Sequence, residues 1–120
     1  MAMTKLIAEV CEVVSREYRR ASEKFGCTNH SDHESYAVLL EEVEEAKSEL
    51  ESIYEHMSQF WQCVKSDSNF DDKFSCCQSI EKRAILCACE MIQVAGVARK
   101  ASLTACKNED TEDKGGDNSG

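Results

Sequence analysis

The residues with the clearest capacity for chemistry are acidic. Between Glu34 and Glu55 lie eight glutamates and a single basic residue, Lys47. At about 100° per residue along a helix, Leu39, Val43, Ala46, Leu50, Ile53 and Met57 share one arc, and Glu44, Glu51 and Glu55 point well away from it into solvent. Glu42, Glu45 and Glu49, at i, i+3 and i+7, form a ridge along one border of that arc. Carboxylates on one ridge repel by a few tenths of a kcal/mol per exposed pair, and no Lys or Arg shares the ridge to offset it. A hard divalent cation would, because Mg²⁺ takes carboxylate oxygens and keeps waters that a phosphate-bearing ligand can displace. The alternative is a plain solvated charged face.

Glu90 weighs against the plain alternative. The stretch from Ala84 to Ala98, AILCACEMIQVAGVA, is apolar almost all round, the pattern of a helix enclosed by other elements or by another subunit. Its one charge is Glu90, and its other strongly polar side chain is Gln93, one turn later. An unpaired carboxylate in such surroundings costs several kcal/mol to keep ionised. It must therefore be protonated, reach a wet cleft, pair with a cation from Arg83, Arg99, Arg16 or Arg19, or share a metal with the glutamate ridge. A metal site and an internal salt bridge both remain open on the residues alone.

These side chains need long helices to position them, and the composition suits that: the 120 residues contain no proline. From Thr4 to Phe25, the residues Ile7, Val10, Val14, Tyr18, Ala21 and Phe25 alternate steps of three and four, with Thr4 as a candidate N-cap and Gly26 as a left-handed C-terminal residue. Ser31-Asp32-His33-Glu34 has the form of a capping box. It opens a second helix to about Met57, which Phe60, Trp61 and Val64 extend. Residues 65–77 are polar and turn-like, with Phe70 and Phe74 spaced for one short helical turn. A third helix runs from about Ser79 to Ala105. The expected fold is thus all-α, three long helices with room for one short one. The domain spans 1–106, and 107–120 is a charged, glycine-rich tail expected to be disordered.

With 23 acidic and 14 basic residues the net charge is -9, which argues against polynucleotide binding, since phosphate backbones are held by clustered Lys and Arg, and against anionic membrane surfaces. No run of about 18 apolar residues occurs, and the N-terminus lacks a signal-peptide core. A cytoplasmic location is expected. Of the eight cysteines, Cys11, Cys87, Cys89 and Cys106 sit among aliphatic residues at helical spacing and read as small buried thiols. Adjacent Cys76 and Cys77 do not have the spacing of a zinc site. His33, beside the capping box, reads as a surface residue.

Leu40-Glu41-Glu42-Val43-Glu44-Glu45-Ala46 resembles the L-E-E-x-x-E-L segment of the MazG-like, all-α nucleoside triphosphate pyrophosphohydrolases. Glu90-Met91-Ile92-Gln93-Val94-Ala95 resembles their second motif, E-x-x-D, and the stretch Asn29 to Glu42 looks like a variant from phage- and prophage-encoded members. The resemblance covers residues 5–105. It implies an antiparallel helical bundle whose core is completed by oligomerisation, as a homodimer or homotetramer. It also implies Mg²⁺ held by both motifs and cleavage of a nucleoside triphosphate between its α- and β-phosphates. Carried over by residue, Glu42 and Glu45 are the first metal pair and Glu90 opens the second. Gln93 stands where the family has aspartate. An amide oxygen brings no charge and cannot act as a base, so metal affinity should fall, with Glu49 on hand to compensate. The rival expectation is a non-catalytic helical dimer that binds a ligand or a protein.

Overall fold

A computed structural model describes the backbone of residues 2–119 and the side chains of residues 2–109. Among the described residues there are three helices and no strand: α1 (Ala2–Phe25), α2 (Asp32–Lys65) and α3 (Phe70–Ser119). The chain is all-α, as its unbroken periodicity predicts.

The helix ends follow from identifiable side chains. α1 already begins at Ala2, so Thr4 lies within its first turn and does not cap it. It ends where Gly26 takes a φ of +92° and its N–H donates to the Ser22 carbonyl at 2.8 Å, a backbone shape that favours glycine. Ser31 caps α2 as expected, its Oγ accepting the Glu34 N–H at 3.1 Å. α2 then continues past Met57 to Lys65. The Ser68 N–H donates to the Cys63 carbonyl at 3.0 Å, and Asp67 takes a φ of 50°, so the chain turns sharply. Asn69 Oδ1 accepts the Asp72 N–H at 2.9 Å. With that cap, and with Asp71 and Asp72 favouring the positive end of the helix dipole, α3 starts at Phe70 rather than near Ser79. No separate short helix forms: Phe70 and Phe74 stack one turn apart on α3, ring centroids 5.4 Å apart. The α3 backbone also runs past Ala105 to Ser119, with no proline to stop it. Most of the tail expected to be disordered, 107–120, lies outside the residues whose side chains are described.

The chain divides into two compact units, residues 1–42 with 92–120, and residues 43–91. In the first, the α1–α2 link is tied down by buried polar groups. The Asn29 N–H donates to Thr104 Oγ1 at 2.8 Å and its side-chain amide donates to Ser35 Oγ at 2.7 Å. Thr104 in turn donates to the Lys100 carbonyl at 2.7 Å, and the Tyr18 hydroxyl donates to the Cys27 carbonyl at 3.0 Å. The second unit is an antiparallel hairpin of α2 and α3 closed by the turn at 66–69.

Large apolar side chains are mostly uncovered. Among the described residues the buried hydrophobic ones are Val14 and Ala46. Of the α1 stripe, Ile7 is 56% exposed and Phe25 is 70% exposed, and on α3 Ile85 and Met91 are each more than half exposed. The apolar helix expected to be enclosed is therefore not enclosed within one chain. The same holds for the thiols: Cys11, Cys89 and Cys106 are exposed and Cys87 is half-buried, so the expectation of small buried cysteines is corrected. Helical spacing identifies the apolar face of a helix, but burial needs a second surface to lie against it.

Thr104→Val should leave the buried Asn29 N–H without its acceptor and cost about 1–3 kcal/mol in urea unfolding. Thr104→Ser, which keeps the hydroxyl, should lose much less.

Candidate functional site

Ala46 sets the spacing of the hairpin formed by residues 43–91. It is 5% exposed, and its carbonyl accepts the Cys87 thiol of α3 at 3.8 Å. A methyl group at this position lets the two helices come close, and the side chains flanking it meet. On one side of this contact a carboxylate oxygen of Glu45 lies within 4.8 Å of one of Glu90. On the other, Arg83 Nη1 stands 3.5 Å from Glu49 Oε2. That Glu49 oxygen is buried and accepts no hydrogen bond, so the charge of the guanidinium, not a directed bond, is what balances it.

Of the five residues singled out from the sequence, Glu45 and Glu90 are brought together by the hairpin. Glu42 lies one turn before Glu45 on α2 and belongs to the first unit. Glu90 and Glu42 are half-buried, and Glu45 is exposed. Glu49 does not join this group, because Arg83 engages it. Gln93, one turn beyond Glu90 on α3, donates its Nε2 to Glu17 Oε2 of α1 at 3.3 Å, and the same Glu17 oxygen receives Arg20 at 2.6 Å. Within the second unit, the carboxylates of Glu45 and Glu90 offer oxygen donors of the kind a hard divalent cation takes with waters retained.

None of the arginines offered as partners for Glu90 pairs with it. Arg83 pairs with Glu49, while Arg99 donates to Ser15 Oγ at 3.1 Å and lies over the Tyr18 ring. Arg16 and Arg19 border a cavity of about 370 Å³ with Cys11 and Ser15. Among the described residues no basic side chain forms an ion pair with Glu45 or Glu90. An internal salt bridge therefore does not account for Glu90.

Sequence reasoning missed Glu17. It belongs with Gln93, Tyr18, Phe25, Asn29 and Lys100 to the wall of a second cavity, of about 380 Å³, formed entirely by residues of the first unit. The signal was faint: Glu17 precedes Tyr18 on the border of the α1 stripe, and a glutamate there looks like any solvated one. Tyr36, Tyr54 and Trp61 are exposed, and His33 is exposed as expected.

Ala46→Leu should force α2 and α3 apart, costing about 1–3 kcal/mol, whereas Ala46→Gly should keep the close approach. Comparing the melting temperatures of the two variants checks this. Compared with protein-family models, with curated proteins and with solved structures, the chain matches none.

Proposed function

We propose that the chain is a Mg²⁺-dependent nucleoside triphosphate pyrophosphohydrolase that works as a homo-oligomer, with Glu42, Glu45 and Glu90 as its acidic residues. The observation that carries this reading is the approach of the Glu45 and Glu90 carboxylates in a hairpin where, among the described residues, neither forms an ion pair with a basic side chain. Helix geometry and a close interhelical contact keep like charges near one another, and a bound cation would turn that cost into binding free energy. Mg²⁺, when bound, would neutralise the triphosphate and the departing pyrophosphate.

The protein's own part follows from exposure and charge. Glu90 and Glu42, half-buried, are the more rigid anchors. Glu45, exposed, is the carboxylate best placed to hold a water through a hydrogen bond and to take its proton as it attacks the α-phosphorus. The bond broken is that between the α-phosphorus and the oxygen bridging to the β-phosphate, so nucleoside triphosphate and water give a monophosphate and pyrophosphate. Glu49 keeps Arg83 oriented beside the site and is a supporting residue. Gln93 could offer only its amide oxygen, since its nitrogen is given to Glu17.

Self-association is part of the same reading. Val14 and Ala46 are the buried hydrophobic residues among those described, and many large apolar side chains stay exposed, so a single chain leaves apolar surface that could still be removed from water. A second copy covering the exposed faces of α2 and α3 would supply the missing burial. The rival reading is a non-catalytic helical dimer that binds a ligand or protein. It is favoured by the Gln93–Glu17 hydrogen bond, which holds the fifth candidate ligand against α1.

Assaying pyrophosphate release from a panel of ribo- and deoxyribonucleoside triphosphates, with and without Mg²⁺, tests the reaction. Turnover should require the metal and fall by about 10²-fold or more in Glu45→Gln and Glu90→Gln, with folding retained by circular dichroism. Absence of metal-dependent turnover with every substrate would leave the binding module as the surviving reading. Light scattering should give a particle of at least twice 13.5 kDa.

A further inference from the structure

The cavity of about 380 Å³ in the first unit is bordered by two charged residues that the proposed reaction does not use, Glu34 of α2 and Lys100 of α3. Its size lies within the roughly 300–1,000 Å³ usual for small-molecule sites. Both residues belong to its wall and both are half-buried. Among the described residues neither forms an ion pair, with the other or with a third group. The capping box that opens α2 is only half made: Ser31 Oγ accepts the Glu34 N–H, and among the described residues no hydrogen bond reaches the Glu34 carboxylate in return. Two other carboxylates of the wall are engaged already. Glu17 accepts Gln93 and Arg20, and Glu42 has an interaction of its own. A carboxylate and an ammonium therefore border one space without meeting across it.

The rest of the wall supplies apolar surface and room. Phe25, the last residue of α1, is mostly uncovered, and Val38 and Val97 lie in the same wall. Gly96 is in the interior of α3, where glycine is destabilising relative to alanine, yet a Cβ there would meet no atom within 4 Å. Packing within the chain does not call for this glycine, whereas keeping the cavity open does. The Asn29–Thr104, Asn29–Ser35 and Thr104–Lys100 hydrogen bonds hold the backbone around the two charged residues, which limits the ordering that a ligand would have to impose.

We propose that this cavity binds a free α-amino acid with an apolar or aromatic side chain. Glu34 receives the ligand ammonium, Lys100 receives its carboxylate, and the side chain lies against Phe25, Val38 and Val97 in the space beside Gly96. A zwitterion suits the wall better than either ion alone, because a single charge would leave one half-buried group of the protein without a partner. The site lies wholly within the first unit and needs neither Mg²⁺ nor nucleotide, so it goes beyond the proposed reaction and is tested apart from it.

The test is isothermal titration calorimetry of the full-length protein, without metal or nucleotide, against L-leucine, L-methionine, L-phenylalanine and L-tryptophan. At least one should bind with a Kd below about 1 mM. The matching amine without the carboxylate, and the matching acid without the ammonium, should each bind about 10-fold or more weakly. The amino acid itself should lose about as much affinity in Glu34→Gln and in Lys100→Met. Gly96→Leu, which fills the cavity with a better helix former, should abolish binding while the helical circular dichroism and the melting temperature hold. No binding of any of the four at about 10 mM, equal binding of the amine or the acid alone, unchanged affinity in Glu34→Gln or Lys100→Met, or binding retained in Gly96→Leu would each overturn the proposal. Because the ligand series is read on the wild-type chain, a variant that folds poorly does not obscure the outcome.

Discussion

The close approach of α2 and α3 at Ala46 is the contact on which the candidate chemistry depends. A buried methyl group at the crossing lets the Cys87 thiol reach the Ala46 carbonyl at 3.8 Å. The side chains on either side must then share what space is left. Glu45 is set near Glu90, and Glu49 is set near Arg83. The two outcomes differ in kind. Where a basic residue is opposite, the acid is balanced within the hairpin. Where only another acid is opposite, two negative charges are held in proximity by packing alone. The repulsion is modest in water and grows as the site is covered, so any further burial of this face strengthens the demand for a cation.

That coverage is what a single chain lacks. Its helices are held at their ends by directed polar contacts: the left-handed Gly26, the Ser31 and Asn69 caps, and the buried Asn29–Thr104–Ser35 cluster. They are not held by a broad apolar core. Hydrogen bonds of this sort contribute about 1 kcal/mol each and specify where a helix begins and ends. They do not replace the burial of the large side chains that remain exposed along α1, α2 and α3. Among the described residues, the helix ends are well specified while much of the helix faces stays uncovered.

The allocation of polar partners is informative in the same way. Arg83, Arg99 and Gln93 each had several acidic or polar partners available by residue type. The structure gives Arg83 to Glu49, Arg99 to Ser15 and the Tyr18 ring, and Gln93 to Glu17. None of them is spent on Glu90. A residue's distance along the helix says which neighbours share its face, but a guanidinium on a long stem reaches whichever partner the crossing angle presents.

The sequence by itself determined the local structure: the all-α class, the Gly26 and Ser31 boundaries, the ridge of Glu42, Glu45 and Glu49, and the isolation of Glu90 on an apolar stretch. All of these follow from periodicity and from interactions within a few residues, which a linear reading captures. It did not show that α3 begins at Phe70, because the Asn69 cap and the sharp turn at Asp67 look, as a string, like any polar loop. Only the tertiary structure decided that Glu45 meets Glu90 while Glu49 is taken by Arg83, that Gln93 turns to Glu17, and that Cys11, Cys89 and Cys106 stay exposed. The first two depend on the distance and register between α2 and α3, which one small residue, Ala46, sets, and the Gln93–Glu17 bond depends on how α1 lies against α3.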